Sequence, residues 1–333
     1  MRDYPIDFVI IWVDGSDPDW LSERSKYQPD LNTDNRACRY RDWDNLRYWF
    51  RSVEKFAPWV NNIFFVTWGH LPEWLDVNHP KLKIIKHEDY IPREYLPTFS
   101  SHTIELNLHR IKGLSEHFVY FNDDMFVIKK TRREDFFRKS KPCDSAVLTA
   151  NYFTAKDPFL APVINIGTIN KHFELRKVIK SNLKGWLNLK YGYKVLQTIV
   201  LLKCPHFPGM WHHHLMTSLC KSTYETLWKI EYDSLHKTCI NKFRHLLDFN
   251  QWLFREWQIV TGNFTPRRAS SGKVFHLNFA DNLQRAATYV KKQKGKFICI
   301  NDNDVSEGKY KEYKIAIIES FEKILPEKSA FEI

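Results

Sequence analysis

The run Phe118-Val119-Tyr120-Phe121, followed by Asn122 and the adjacent carboxylates Asp123 and Asp124, constrains this chain more than any other feature. Four consecutive large apolar residues suit a buried strand. The two carboxylates then sit where that strand emerges from its sheet. In open α/β sheets, ligands bind at the carboxyl ends of strands. Two hard oxygen donors in that position suit Mg²⁺ or Mn²⁺ holding a diphosphate, because such ions take one or two carboxylates plus phosphate oxygens. A plain turn is the alternative, since Asn and Asp both favour turns.

The segments before this strand alternate between two periods. Ile6–Val13 is an uninterrupted apolar run rich in β-branched residues and reads as a central parallel strand. Asp14-Gly15-Ser16-Asp17-Pro18 follows as a turn, with Asp17 placed to cap a helix that has Pro18 at its first position. Asp44–Phe56 carries Leu46, Trp49, Phe50 and Val53 at i, i+3, i+4 and i+7, an amphipathic helix stopped by Pro58. Strands are expected at Asn62–Thr67 and Lys81–Lys86, and a helix at Ser101–Ile111. This alternation implies an α/β fold with a mostly parallel, Rossmann-like nucleotide-binding sheet.

Beyond about residue 150 strand signals thin out. Trp-rich stretches at Trp211–Trp228 and Asp248–Val260 read as helices, Thr265–Lys273 as a loop, Lys296–Ile300 as a strand and Lys311–Leu325 as a terminal helix. The expected organisation is an α/β core over residues 1–150 and a mainly helical region over 151–333 that completes the active edge. Residues 296–325 would return to the core.

The formal charge is +11, with the densest basic stretch at Arg285–Lys296. Such a surface attracts polyanions, whether phosphorylated substrate, anionic lipid or nucleic acid. A merely solvated basic face is equally compatible. Six cysteines without a C-x-x-C pair argue against a structural zinc site or a disulfide framework, and so for a reducing compartment. Met1-Arg2-Asp3-Tyr4-Pro5 lacks the apolar stretch of a signal peptide, and the apolar runs Ile6–Val13 and Val195–Leu202 are too short to span a bilayer. A cytoplasmic protein, soluble or peripheral at the inner face of the plasma membrane, is expected.

Several polar clusters fall at the ends of these elements. On the Ser101–Ile111 helix, Ile104, Leu108 and Ile111 form one stripe, and His102, Glu105 and His109 fall within a ~60° arc on the opposite face. Such a face can bind metal or phosphate, or orient a hydroxyl, and the alternative is ordinary solvent exposure. Arg39, Arg41 and Asp42 precede the Asp44 helix, where arginines beside a helix N-terminus can hold an anion or simply pair on the surface. His212-His213-His214 is expected to open a helix, and one of these imidazoles could act as a general base. Asn301-Asp302-Asn303-Asp304 resembles a calcium loop but lacks the correctly placed Gly and distal Glu. Asp302 is either a turn residue or a further carboxylate for the cleft.

Taken together, these segments resemble the Stealth proteins, sugar-1-phosphate transferases of bacterial capsule synthesis related to the eukaryotic lysosomal-enzyme N-acetylglucosamine-1-phosphotransferase. Ile6 to Pro18 is similar to the family's first block. The second runs through Arg41-Asp42, Leu46-Arg47-Tyr48, Arg51 to Val60, Leu96 to His102, Leu108 to Ile111 and Tyr120 to Asp124. His214 and Arg244-His245 match the third at a longer spacing, and Lys296 to Asn303 matches the fourth.

The resemblance implies a glycosyltransferase-A-like sheet and a metal-dependent transfer of hexose- or N-acetylhexosamine-1-phosphate. The donor would be a UDP-sugar, UMP would leave, and the acceptor would be a glycan hydroxyl on an oligosaccharide, a growing polysaccharide or a lipid-linked precursor. It places Asp123 and Asp124 at an Mg²⁺ or Mn²⁺–diphosphate site, with His214 as base and Arg244 as phosphate clamp. His102, Glu105, His109, Arg110 and Asp302 would line the cleft, and Asp14, Gly15, Asp17, Arg41 and Asp42 would lie toward the donor. Which member of the His triplet acts is open, with His214 favoured by its spacing to Trp228. A metal-dependent glycosyltransferase releasing UDP is the first alternative. A non-enzymatic module binding nucleic acid or anionic lipid is the second. The clusters of His, Asp and Arg at element ends speak against it, so no nucleic-acid partner is expected.

Overall fold

The computed structural model describes residues 4–27, 33–34, 36–153, 159–279 and 281–333; Met1-Arg2-Asp3 lie outside the described residues. In chain order the first half contains β1 (Ile6–Ile11), α1 (Pro18–Ser25), α2 (Leu46–Phe56), β2 (Ile63–Thr67), β3 (Leu82–Lys86), α3 (Ser101–Leu106), β4 (His117–Phe121), β5 (Met125–Val127), β6 (Phe137–Arg138) and β7 (Lys141–Asp144). The second half contains α4 (Ala161–His172), α5 (Leu175–Ser181), α6 (Leu183–Trp186), α7 (Lys194–Leu201), β8 (Thr217–Cys220), α8 (Lys221–Ile230), α9 (Tyr232–Cys239), α10 (Trp252–Val260), β9 (Thr265–Pro266), β10 (Gly272–His276), α11 (Asn282–Lys291), β11 (Phe297–Asn301) and α12 (Glu307–Glu322).

The central sheet has the order β3-β2-β1-β4-β8. Its first four strands are parallel and β8 runs antiparallel to β4. The fold is therefore α/β with a mostly parallel central sheet, as the alternating periods indicate. The long apolar runs are explained by burial on both faces. Ile6, Phe8 and Ile10 of β1 point into one apolar cluster with α2, α11 and α12. Val9 points into the other, with Phe118 and Tyr120 of β4 and residues of α8 and α10. That is the period-2 alternation of a strand applied to a two-sided core. Residues from both sides of position 150 fill both clusters.

A smaller sheet, β10-β11-β5, stands beside the end of β4. β11 pairs antiparallel with β5, which holds the chain leaving Asp124 against the C-terminal segment. Among the described residues no helix is long and apolar enough to cross a membrane.

Four expectations need correction. The Asp44 helix begins at Leu46, because Asp44 takes a left-handed backbone (φ 50°) outside the helical region. Trp211–Trp228 is not one helix: His214 is also left-handed (φ 43°), Thr217–Cys220 is a buried edge strand, and α8 starts only at Lys221. Asp248–Val260 is helical only from Trp252, since the Asp248 and Asn250 side chains accept backbone N–H groups of His245 and Trp252 and hold a loop. Thr265–Lys273 is not all loop. Gly272 opens β10, where a Cβ would come within 2.7 Å of Leu215 Cδ1 and Phe297 Cβ, so only glycine lets the strand lie that close.

Candidate active site

Asn122, Asp123 and Asp124 form the turn between β4 and β5 and face a cavity of about 180 Å³. Asp124 is fixed from several sides. Its Oδ2 accepts from Cys299 Sγ and from Asn301 Nδ2, each at 3.1 Å. Its carbonyl accepts the Ile300 N–H at 2.9 Å, and His214 Nε2 lies 3.8 Å from Oδ2. Burial pushes the Asp124 carboxyl up, but the nearby His214 and the bonds from Cys299 and Asn301 outweigh it and leave it below the usual range. Asp123 shares none of these donors. Burial, with the neighbouring charges of Asp124 and Asp42, pushes it up to about 7. Asp42, also on the cavity wall, is pushed up to about 6, chiefly by burial.

The His triplet precedes β8, and its three rings diverge. His212 stacks on Trp252 at 4.2 Å and bonds Glu256 Oε1 at 2.6 Å. His213 is buried, 2.9 Å from Arg267 Nη2 and 3.5 Å from Asp144 Oδ1. Only His214 reaches the cavity. It is half-buried, edge-on to Trp252 at 5.9 Å. Burial lowers His213 to about 4 and drives His212 well below its ordinary value, so both are neutral near pH 7.

Arg244 lines the same cavity, and no described acidic side chain pairs with it. Arg39, also on the wall, is held by Asp34, whose carboxylate takes Arg39 Nε and Arg36 Nε at 2.7 Å. Arg41 stacks on Tyr310 and binds Asp302 Oδ2 at 3.2 Å and Glu307 Oε1 at 2.6 Å. Asp302 Oδ1 in turn accepts the Val305 N–H at 2.7 Å. Arg41 and Asp302 therefore brace the wall while lining it.

The remaining expected residues lie off the cavity wall. Asp14 Oδ1 accepts from Ser16, and Asp17 Oδ1 caps α1 through the Trp20 N–H at 2.7 Å. Gly15 is pressed against the chain at Tyr40, whose carbonyl oxygen would lie 2.0 Å from a Cβ there. The expected arc of His102, Glu105 and His109 breaks, because α3 ends at Leu106, where the Asn107 amide turns back to the Thr103 carbonyl. Its members are buried in a seam against the second half. His102 meets Asp248 at 3.2 Å, Glu105 accepts from Tyr120 Oη and the Gln251 N–H, and His109 and Arg110 pack on Trp228. Ser101 and Ile104 face the cavity from this helix instead.

Residues to which the sequence assigned no role also shape the site. Cys299 and Asn301 hold Asp124, and both follow from β11 lying beside the Asp124 turn. Trp12, Trp20, Trp43 and Phe99 supply aromatic wall.

The residues fit a divalent cation. Asp124 Oδ1 is buried without a hydrogen-bond partner among the described residues, an oxygen that burial makes costly unless a cation or donor meets it. Ligand atoms of Asp124, His214 and Cys299 lie within 4.8 Å of one another. With Asp123 adjacent, the oxygens suit a hard ion, while the Cys299 thiol is pushed well above its ordinary value, mainly by burial, and stays protonated.

The α/β sheet carries a polar cavity at the end of β4, and the sequence that builds it matches a known family. Stealth protein conserved region 2 matches residues 39–144, and conserved region 1 matches residues 4–31. The chain is 42% identical over 332 residues to the capsular polysaccharide phosphotransferase WcwK of Streptococcus pneumoniae, covering 98% of each. It is 37% identical to the exopolysaccharide phosphotransferase cps2G of Lactiplantibacillus plantarum, over 99% of this chain and 96% of that one. It is 35% identical to the receptor polysaccharide phosphotransferase WefC of Streptococcus gordonii, over 98% and 99%. The chain belongs to the Stealth family. Among solved structures it is similar to the WbbM bifunctional glycosyltransferase at 11% identity and a TM-score of 0.38, over 97% of this chain and 52% of that one.

Proposed function

We propose that this chain is a polysaccharide phosphotransferase that moves hexose- or N-acetylhexosamine-1-phosphate from a UDP-sugar to a hydroxyl of an acceptor glycan, in capsular or cell-surface polysaccharide synthesis. The acceptor is an oligosaccharide or growing polysaccharide, free or lipid-linked. The observation that carries the reading is the meeting of Asp123, Asp124, His214 and Arg244 in one cavity, in a chain that matches polysaccharide phosphotransferases along its whole length.

In this reading the acceptor oxygen attacks the phosphorus bonded to the sugar. A new O–P bond forms, the bridging P–O bond to the nucleoside monophosphate breaks, and UMP departs with that electron pair. Phosphoryl transfer depends on in-line positioning and on positive charge over the phosphate oxygens. Arg244, which no acidic side chain among the described residues pairs with, supplies such charge at the cavity wall. His214 takes the acceptor proton, and Asp124 beside it stabilises the imidazolium that results. Asp123 and Asp124 would hold Mg²⁺ or Mn²⁺, which would neutralise the diphosphate and help the leaving group depart. His212 and His213 are neutral and engaged elsewhere, which leaves His214 as the base.

The nucleotide product tests this. Incubation with UDP-sugars, acceptor glycan and Mg²⁺ or Mn²⁺ is expected to release UMP. Release of UDP instead would mean attack at the anomeric carbon and a glycosyltransferase.

A further inference from the structure

Helix α7 is partly inverted. Val195 and Leu201 pack on the core, but polar side chains fill much of the inner face and large apolar ones stand in water on the outer. Thr198 is buried, and its hydroxyl accepts the Leu148 N–H at 3.1 Å. The Gln197 amide donates to Thr149 Oγ1 at 2.9 Å, and the Lys194 ammonium lies 4.3 Å from the centre of the Trp211 ring. These three positions fall at i, i+3 and i+4, the stripe that a surface helix ordinarily fills with apolar residues. On the outer side Tyr193 is 76% exposed, Leu196 66%, Ile199 47% and Val200 66%. Leu189, just upstream, is 91% exposed. Contiguous large apolar side chains left in water mark an interaction surface.

The surrounding charge selects the partner. No Asp or Glu occurs from Leu175 to Tyr224. Over the same stretch Lys180, Lys184, Lys190 and Lys203 are exposed. An exposed apolar face in a stretch of chain rich in exposed lysines and without Asp or Glu matches an anionic bilayer, whose acyl boundary takes the apolar face while its headgroups take the ammonium groups. We propose that α7 and the segment leading into it form an in-plane contact that seats this chain on an anionic lipid surface. α7 is hydrogen-bonded to Leu148 and Thr149, and Leu148 bridges Met210, shortly before His214. The contact is thus anchored to the segment that carries the candidate base. It does not depend on the catalytic reading, because it is measured without donor or acceptor.

The test is co-sedimentation of the full chain with vesicles of phosphatidylcholine alone, or with about a third phosphatidylglycerol, at low and high salt. Binding is expected only to the anionic vesicles, weakening with salt. The double variant Leu196→Glu/Val200→Glu is expected to lower the partition coefficient at least ~10-fold. The triple variant Lys180→Gln/Lys184→Gln/Lys203→Gln is expected to lower it ~100-fold, at about fivefold per lysine. Melting temperatures stay unchanged, since every substituted side chain is exposed. Absence of binding by the unaltered chain overturns the proposal, as does equal binding by the unaltered chain and both variants. A dimer in size exclusion that Leu196→Glu/Val200→Glu disperses, without vesicle binding, assigns the face to self-association instead.

Discussion

His214 Nε2 lies 3.8 Å from Asp124 Oδ2, and Asn301 Nδ2 stands 3.5 Å from the same ring nitrogen. A carboxylate beside an imidazole fixes the orientation of the ring that takes up the proton. His214→Ala is therefore expected to lower kcat by roughly 10²–10⁴-fold, the usual contribution of a positioned base. Its ring is half-buried and edge-packed on one indole, so the melting temperature should hardly move. Paired rate and melting measurements check this. Turnover close to that of the unaltered chain would remove His214 from the chemistry.

His213, one residue earlier, should behave oppositely. It sits between Arg267 and Asp144, and Asp144 also receives Arg255 at 2.7 and 2.8 Å. His213→Ala leaves a buried guanidinium nitrogen short of its acceptor. A loss of about 1–3 kcal/mol of stability is expected, the usual cost of such an orphan. Denaturant unfolding measures it, and an unchanged midpoint would show that water replaces the ring.

The contrast between these neighbours explains what the sequence revealed. Strands β1 to β4 were legible because burial on both faces demands unbroken apolar runs such as Phe118–Phe121. The Asp123-Asp124 pair was legible because a polar pair ending such a run has few places to go. The directions of the three His rings were not. They depend on the left-handed backbone at His214 and on β8, four buried residues too short to show a period. The His102–Glu105–His109 arc misled for a related reason. A polar helix face looks the same whether it meets water or a polar seam, and here it meets Asp248, Gln251 and Trp228. The role of Cys299 was invisible because it follows from β11 pairing with β5.

The Glu256–His212 pair predicts a pH dependence of stability. Burial raises the Glu256 carboxyl to about 8, so the folded chain keeps a proton that the unfolded chain releases above its ordinary value of 4.5. The folded state thus binds more protons between those two values. This contribution is fully present below about 4.5 and is lost as pH rises through about 8. Glu256→Gln keeps a group able to donate to His212 but cannot ionise. Relative to the unaltered chain, the variant should gain stability as pH rises from about 5 to 8, on the order of 3 kcal/mol over the window. Unfolding free energies of both proteins across that range provide the check. Parallel curves would mean that Glu256 is ionised in the folded state.

Cation binding should carry a proton signature. Asp123, raised to about 7, is largely protonated in slightly acidic solution, whereas an ion ligand must be deprotonated. Mn²⁺ affinity should therefore weaken as pH falls below about 7, by up to roughly tenfold per pH unit. Binding at pH 6.5, within the half-protonated range, should release a fraction of a proton, measurable by calorimetry in buffers of different ionisation enthalpy. Asp123→Asn should flatten this pH dependence, and Asp124→Asn, which neutralises the carboxylate with the orphaned Oδ1, should weaken binding outright. A chelator should abolish turnover of the unaltered chain, and added Mn²⁺ or Mg²⁺ should restore it. If affinity shows no pH dependence in the unaltered chain, Asp123 is not a ligand. If turnover survives chelation, Arg244 and Arg39 carry the phosphate charge alone.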